Sequence, residues 1–205
     1  MKETVDGVRH SRRQEERVEA TRERILVSAR KIFVRDGFDA ARLEDIAADA
    51  GYTRGAFYGK FKDKEDLFVA VAEQQIAMHA KMALEAVRSR AGRQEKVEEL
   101  MKRMGDMPEA AAWAVLLTEF SLFALRHPHQ KKNVDSLHRN LTQGIEDVFT
   151  ELYGKAKRKS KVPLSVLGVG YYSLIQGLAL HSLLDCDLMT PATKEELLKN
   201  YLRDV

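Results

Sequence analysis

The chain has 205 residues, 44% of them hydrophobic and 32% charged, enough to bury a real core as one large domain or two small ones. Its formal charge of +3 is too small for whole-chain electrostatics to argue for a polyanionic partner, so any such case must rest on local placement. A single cysteine, Cys186, excludes an internal disulfide framework. The charged N-terminus lacks the apolar core of a secretory signal, which makes the cytoplasm the expected compartment.

Residues 1–17 mix both charge signs with almost no apolar anchor and read as a disordered or flexible arm. Arg9, Arg12 and Arg13 have the chemistry to follow a minor groove, although a solvated tail is the plainer reading. A first helix carries Val18, Ile25, Leu26, Ala29, Ile32 and Phe33 on one side and stops at Gly37. A short second helix places Leu43, Ile46, Ala47 and Ala50 at helical spacing and ends at Gly51. A third is capped by Thr53 and buries Phe57 and Phe61 one turn apart. Asp63 with Asp66 forms an acidic capping box for a fourth, and a fifth pattern runs from Leu67 to about Arg90.

Lys96–Met104 and Pro108–Arg126 follow as the sixth and seventh helices, with Pro108 suited to a first turn. Val134, Leu137, Leu141, Ile145, Val148 and Leu152 form the packing seam of an eighth. Gly154–Lys161 is a basic loop, Pro163–Leu184 a ninth helix, and Lys194–Leu202 a short tenth. With no run of period two, the chain is expected to be all-α. Val162–Leu184 has no Asp, Glu, Lys or Arg and is long enough for a bilayer. Its Ser165, Gly168, Gly170, Ser173, Gln176, Gly177, His181 and Ser182 suit a helix buried on every side better than a membrane span.

Leu43–Phe61 carries the functional signal. Ala47 lets a second helix cross closely, Gly51 can take the positive φ of a tight turn, and Phe57 returns to the core to hold the second helix against the first. The opposite face then presents Arg54, Gly55, Tyr58 and Lys60. Thr53 at a helix start can donate to a phosphate, and forked Arg54 can reach guanine in a major groove. Tyr58, Lys60 and Lys64 have the reach to grip phosphate oxygens. From Gly51 to Lys64, Arg54, Lys60, Lys62 and Lys64 face a lone acid, Asp63, so a basic edge sits where the motif needs it. The rival reading is a pair of packed helices with a solvated polar face.

The run from Thr21 to Val71 resembles the N-terminal domain of TetR-family transcriptional regulators (TetR/AcrR-type) over about a quarter of the chain. The match lies in Gly37-Phe38, Asp45-Ile46-Ala47, Ala50-Gly51, Phe57-Tyr58, Phe61, Lys64-Glu65 and Leu67-Phe68. The resemblance implies a helix-turn-helix domain over 18–63 and a larger helical domain over 64–205 for effector binding and dimerisation. It also implies a homodimer on palindromic double-stranded DNA, paired through the Val134–Leu152 and Pro163–Leu184 helices, and mostly repression. Positions matching Thr53, Arg54, Tyr58 and Lys64 commonly touch DNA in that family. Arg42 stands where the family usually has a hydroxyl cap, Tyr52 replaces a small aliphatic residue, and Lys60 replaces an aromatic residue or histidine. Gly59 inside the third helix is expected to cost about 1 kcal/mol relative to alanine.

In the C-terminal part, Met78, Met82, Met101, Met104, Trp113, Phe120, Phe123, Tyr171 and Tyr172 are candidates to line an effector cavity, and plain core packing explains them as well. Glu119, Gln176 and His181 are the polar groups suited to orient a small apolar or amphipathic effector. The six histidines have no metal-ligand spacing, no complete phosphate-loop or dinucleotide glycine pattern occurs, and no catalytic triad can be nominated. Neither a metal nor a cofactor nor an enzymatic activity is expected. A ligand-released repressor leads, and an architectural or cell-division DNA-binding protein of the same fold without an effector is the alternative.

Overall fold

The structure is a computed structural model that describes the backbone of residues 3–105, 109–154 and 161–204, and the side chains of 17–104, 109–129, 132–154 and 161–203. Among the described residues every regular element is helical: α1 (Glu3–Ala40), α2 (Leu43–Asp49), α3 (Arg54–Tyr58), α4 (Lys64–Arg88), α5 (Arg93–Gly105), α6 (Ala110–Arg126), α7 (Lys131–Tyr153), α8 (Leu164–Leu184) and α9 (Pro191–Asp204), with a 3₁₀ turn at Pro128–Gln130. The all-α expectation therefore holds. The segment expected as an arm is traced from Glu3 as the start of α1, and the side chains of Arg9, Arg12 and Arg13 lie outside the described residues. Pro108 and the centre of the basic loop, 155–160, also lie outside them.

The fourth and fifth expected helices are one element, α4. Asp63 Oδ1 accepts the Asp66 N–H at 2.7 Å and Asp66 Oδ2 accepts the Lys62 N–H at 3.0 Å, so this cap opens the helix. No stop signal separates it from the long pattern that follows. The chain divides into two compact units, Met1–Val71 and Ala72–Val205.

In the first unit α1 is broken at Gly37, whose φ of 81° only glycine adopts readily. The chain turns there and buries Phe38, which stacks on Phe33 at 6.1 Å and meets Phe68 edge-on at 5.2 Å. Ile25, Leu26, Ala29 and Ile32 of α1, Ile46 and Ala47 of α2, and Phe57 of α3 complete the core, each at most 2% exposed. Burying such side chains contributes roughly 1.5–3 kcal/mol for each large one, an upper figure because unfolded chains already hide part of this surface.

In the second unit Val87 of α4, Leu100 and Met101 of α5, Phe149 and Leu152 of α7, Tyr171 of α8 and Leu202 of α9 share one core. The end of α9 is tied down through the Leu202 carbonyl, which accepts from Tyr153 Oη and Arg93 Nη2, both at 2.8 Å. Helix α8 packs against α6, α7 and α9. A Cβ on Gly168 would collide with Ile145, and one on Gly170 with the Tyr201 hydroxyl, which donates to the Leu167 carbonyl at 2.8 Å. These two glycines therefore permit close approach within the chain, whereas a Cβ on Gly177 meets nothing within 4 Å. The α7 seam is likewise used internally: Leu137, Val148 and Leu152 are buried, and Val134, Leu141 and Ile145 half-buried.

Candidate nucleic-acid interface

Helix α2 ends in a Schellman arrangement: Gly51 N–H donates to the Ala48 carbonyl at 3.0 Å and Tyr52 N–H to the Ala47 carbonyl at 2.9 Å. Gly51 has φ 77°, where any side chain is strained, and the flexible end of Arg24, whose Nη2 comes within 3.1 Å of where a Cβ on Gly51 would stand, would have to give way to admit one. Above the turn, Arg24 lies 5.1 Å over the Tyr52 ring. Asp49 joins α2 to α1 by accepting from Lys31; that hydrogen bond, then one from Ser28, holds its carboxyl below the usual carboxylate range. Arg42 precedes α2 as an exposed extended residue with no side-chain cap, as expected of an arginine where a hydroxyl would serve.

Thr53 caps α3, its hydroxyl accepting from the Ala56 N–H at 3.4 Å. Phe57 is fully buried and sits 5.7 Å from Phe61, which fixes the helix from below. Arg54, Gly55 and Tyr58 then emerge on the solvent side, with Lys60 half-buried in the turn that follows. The helix ends at Tyr58 and Gly59 is its C-cap, so the interior-glycine cost expected above does not apply.

Two cations are already engaged. Arg54 Nη1 lies 3.1 Å from Glu44 Oε1 of α2, and Arg54 Nη2 donates to the Tyr58 hydroxyl at 3.2 Å. The Tyr58 contact first, then the Glu44 carboxylate, raises the guanidinium pKa. Lys64 Nζ donates to the Asp39 carbonyl at 2.9 Å and the Ala41 carbonyl at 3.4 Å, and stands 4.8 Å over the Phe38 ring. Its ammonium thus secures the chain between α1 and α2. Sequence reasoning missed Glu44, because only the fold brings α2's first turn against α3's.

The candidate effector residues separate into a core set and a surface set. Met101 and Tyr171 are buried and joined, Tyr171 Oη donating to Met101 Sδ at 3.7 Å, with Met104 packed against the same core. Trp113 and Phe120 are buried, and Phe120 stacks with Phe123 at 6.4 Å. Met82, Tyr172 and Gln176 are half-buried. Burial pushes the Tyr172 hydroxyl up to about 12. Met78, Glu119 and His181 are exposed on the single chain and do not join that core. Glu119 lies with exposed Leu122 and Leu125 on the side of α6 opposite Trp113, Leu116 and Phe120.

Residues 25–71 match the family described as bacterial regulatory proteins, tetR family. The repressor AcnR of Corynebacterium glutamicum is 26% identical over 159 residues, covering 77% of this chain and 79% of that protein. The regulator AcrR of Shigella flexneri is 41% identical over 63 residues, 31% of this chain and 29% of that protein. Identity is therefore higher in a match confined to a short stretch than in one spanning most of the chain. Among solved structures, a TetR-family regulator from Rhodococcus sp. aligns with TM-score 0.71 at 18% identity over 88% of this chain and 95% of that one. FadR of Bacillus subtilis, solved in complex with stearoyl-CoA, aligns with TM-score 0.66 at 16% identity over 89% and 98%. The helix-turn-helix lies on residues that match the tetR family of bacterial regulatory proteins, and the helices described in the second unit share the fold of TetR-family regulators. The chain is therefore similar to these regulators in sequence over residues 25–71 and in fold over most of its length.

Proposed function

We propose that this DNA-binding regulator is a homodimeric repressor that reads a palindromic operator and leaves it when a small apolar or amphipathic molecule occupies its second unit. The carrying observation is α3, pinned by buried Phe57 with Arg54 and Tyr58 outward beside half-buried Lys60. Arg54 supplies base reading, while Thr53, Tyr58 and Lys60 contact the backbone. Relatives such as AcnR are transcriptional repressors, which supports repression here.

The dimer reading rests on α8, which carries no charged residue yet leaves Val166, Leu183 and Leu184 exposed, with open space at Gly177. A second copy would cover that face, with the α7 flank beside it. The effector reading rests on the aromatic and methionine core around Met101 and Tyr171 and on the fold shared with FadR, whose complex holds a long acyl thioester. A ligand shifts the equilibrium only if it prefers the state that cannot hold DNA, and coupling of about 1–3 kcal/mol lowers operator affinity about 5- to 150-fold. Screening fatty acids, acyl thioesters and aromatic amphiphiles for binding, then titrating each binder into the operator complex, tests this. Core binders that all leave operator affinity unchanged would refute the sensor mechanism and favour the architectural alternative.

A further inference from the structure

We propose that Glu44 is a specificity-determining residue of the DNA interface, positioning the Arg54 guanidinium from α2 so that its remaining N–H groups meet a base edge in one orientation. The proposal rests on the DNA-reading role of α3. Arg54 is held on separate sides by the Glu44 carboxylate at 3.1 Å, the Tyr58 hydroxyl at 3.2 Å and the Tyr58 ring, 5.5 Å from the guanidinium carbon. Each terminal guanidinium nitrogen carries a pair of hydrogens, so one on each, together with Nε–H, remains for a ligand. Recognition of guanine needs parallel donors aimed at O6 and N7, and a long side chain loses rotamer freedom on reaching that geometry. A partner that has already fixed the side chain removes part of that cost for the matching base and withholds the fork from mismatched ones.

The same carboxylate repels phosphates. Removing its charge should therefore strengthen sequence-independent binding while weakening discrimination, two changes of opposite sense that a purely structural residue does not produce. The pair is exposed, with side chains 63% and 46% accessible, so each effect is modest, about threefold to tenfold over the whole duplex.

The test uses the full chain as wild type, Glu44→Gln, Glu44→Asp, Arg54→Ala and the double variant Glu44→Gln/Arg54→Ala. Each is titrated against the duplex that the wild type enriches from a random library and a scrambled duplex of the same composition. Glu44→Gln should tighten the scrambled duplex by about threefold and reduce the ratio of the two affinities by about threefold to tenfold. Glu44→Asp, which keeps the charge but shortens the reach, should lose discrimination without the gain on the scrambled duplex. In the Arg54→Ala background, Glu44→Gln should leave the ratio unchanged. Equal tightening of both duplexes overturns the proposal, as does undiminished loss of discrimination without Arg54, which would mean that Glu44 reads a base itself. Failure of the wild type to enrich any duplex overturns the DNA-reading role, and it is seen before any Glu44 variant is measured.

Discussion

Arg54 combines exposure, a fork of donors and a fixed base, so its removal should act on sequence preference as well as on affinity. Arg54→Ala is expected to cost about 1–3 kcal/mol against the preferred duplex and far less against a scrambled one, as measured by fluorescence anisotropy. Lys64 behaves differently because its ammonium serves backbone carbonyls between α1 and α2. Lys64→Met should lower stability by about 1 kcal/mol, read as a lower urea midpoint with an unchanged slope. Arg54, Thr53 and Phe57 were legible from the sequence because a cap, a buried ring and the face between them are set by spacing within one short helix. Neither the Glu44–Arg54 pair nor the Lys64 cap was legible, since each joins residues from separate elements. Exposure likewise sets Met78, Glu119 and His181 apart from the core, which type and neighbours alone did not reveal.

At the scale of the helix, α8 illustrates how far composition reaches. Its lack of charge marked it as a burial helix, yet only packing reveals that Gly168 and Gly170 face Ile145 and Tyr201 of the same chain while Gly177 faces open space. Gly168→Val should therefore destabilise the fold by about 1–3 kcal/mol through overpacking, seen as a lower melting temperature without any change of oligomeric state at temperatures below it. Burial also raises the phenol pKa values of Tyr171 and Tyr172, the latter to about 12, against about 10 when unfolded. The unfolded chain then releases protons that the folded one keeps, so stability is fully present below pH 10 and falls as pH rises towards 12. Each phenol contributes a slope of about 1.4 kcal/mol per pH unit in that window, and Tyr172→Phe should flatten the decline in urea midpoints between pH 10 and about 12. An equally steep decline in that variant would place the alkaline loss elsewhere.

For the whole molecule, the proposed dimer and effector release depend on α8 and the second unit rather than on the DNA-reading face. Because a side chain at Gly177 meets nothing in its own chain, Gly177→Glu should separate the subunits while leaving each folded. Sedimentation would show a monomer with native helical content, and an undisturbed dimer would remove α8's outward face from the interface. The division into helices was legible because caps and glycine stops are local; the merging of two expected helices into α4 was not, since a cap followed by a long pattern reads equally well as one element or two. The most direct test of the account is selection of duplexes from a random library at moderate salt, with the wild type and Arg54→Ala in parallel. The wild type should enrich a palindrome with half-sites about 34–36 Å apart, its affinity falling steeply with salt, and Arg54→Ala should blur the preferred base in both halves. No enriched duplex, or an identical motif from both proteins, would contradict it.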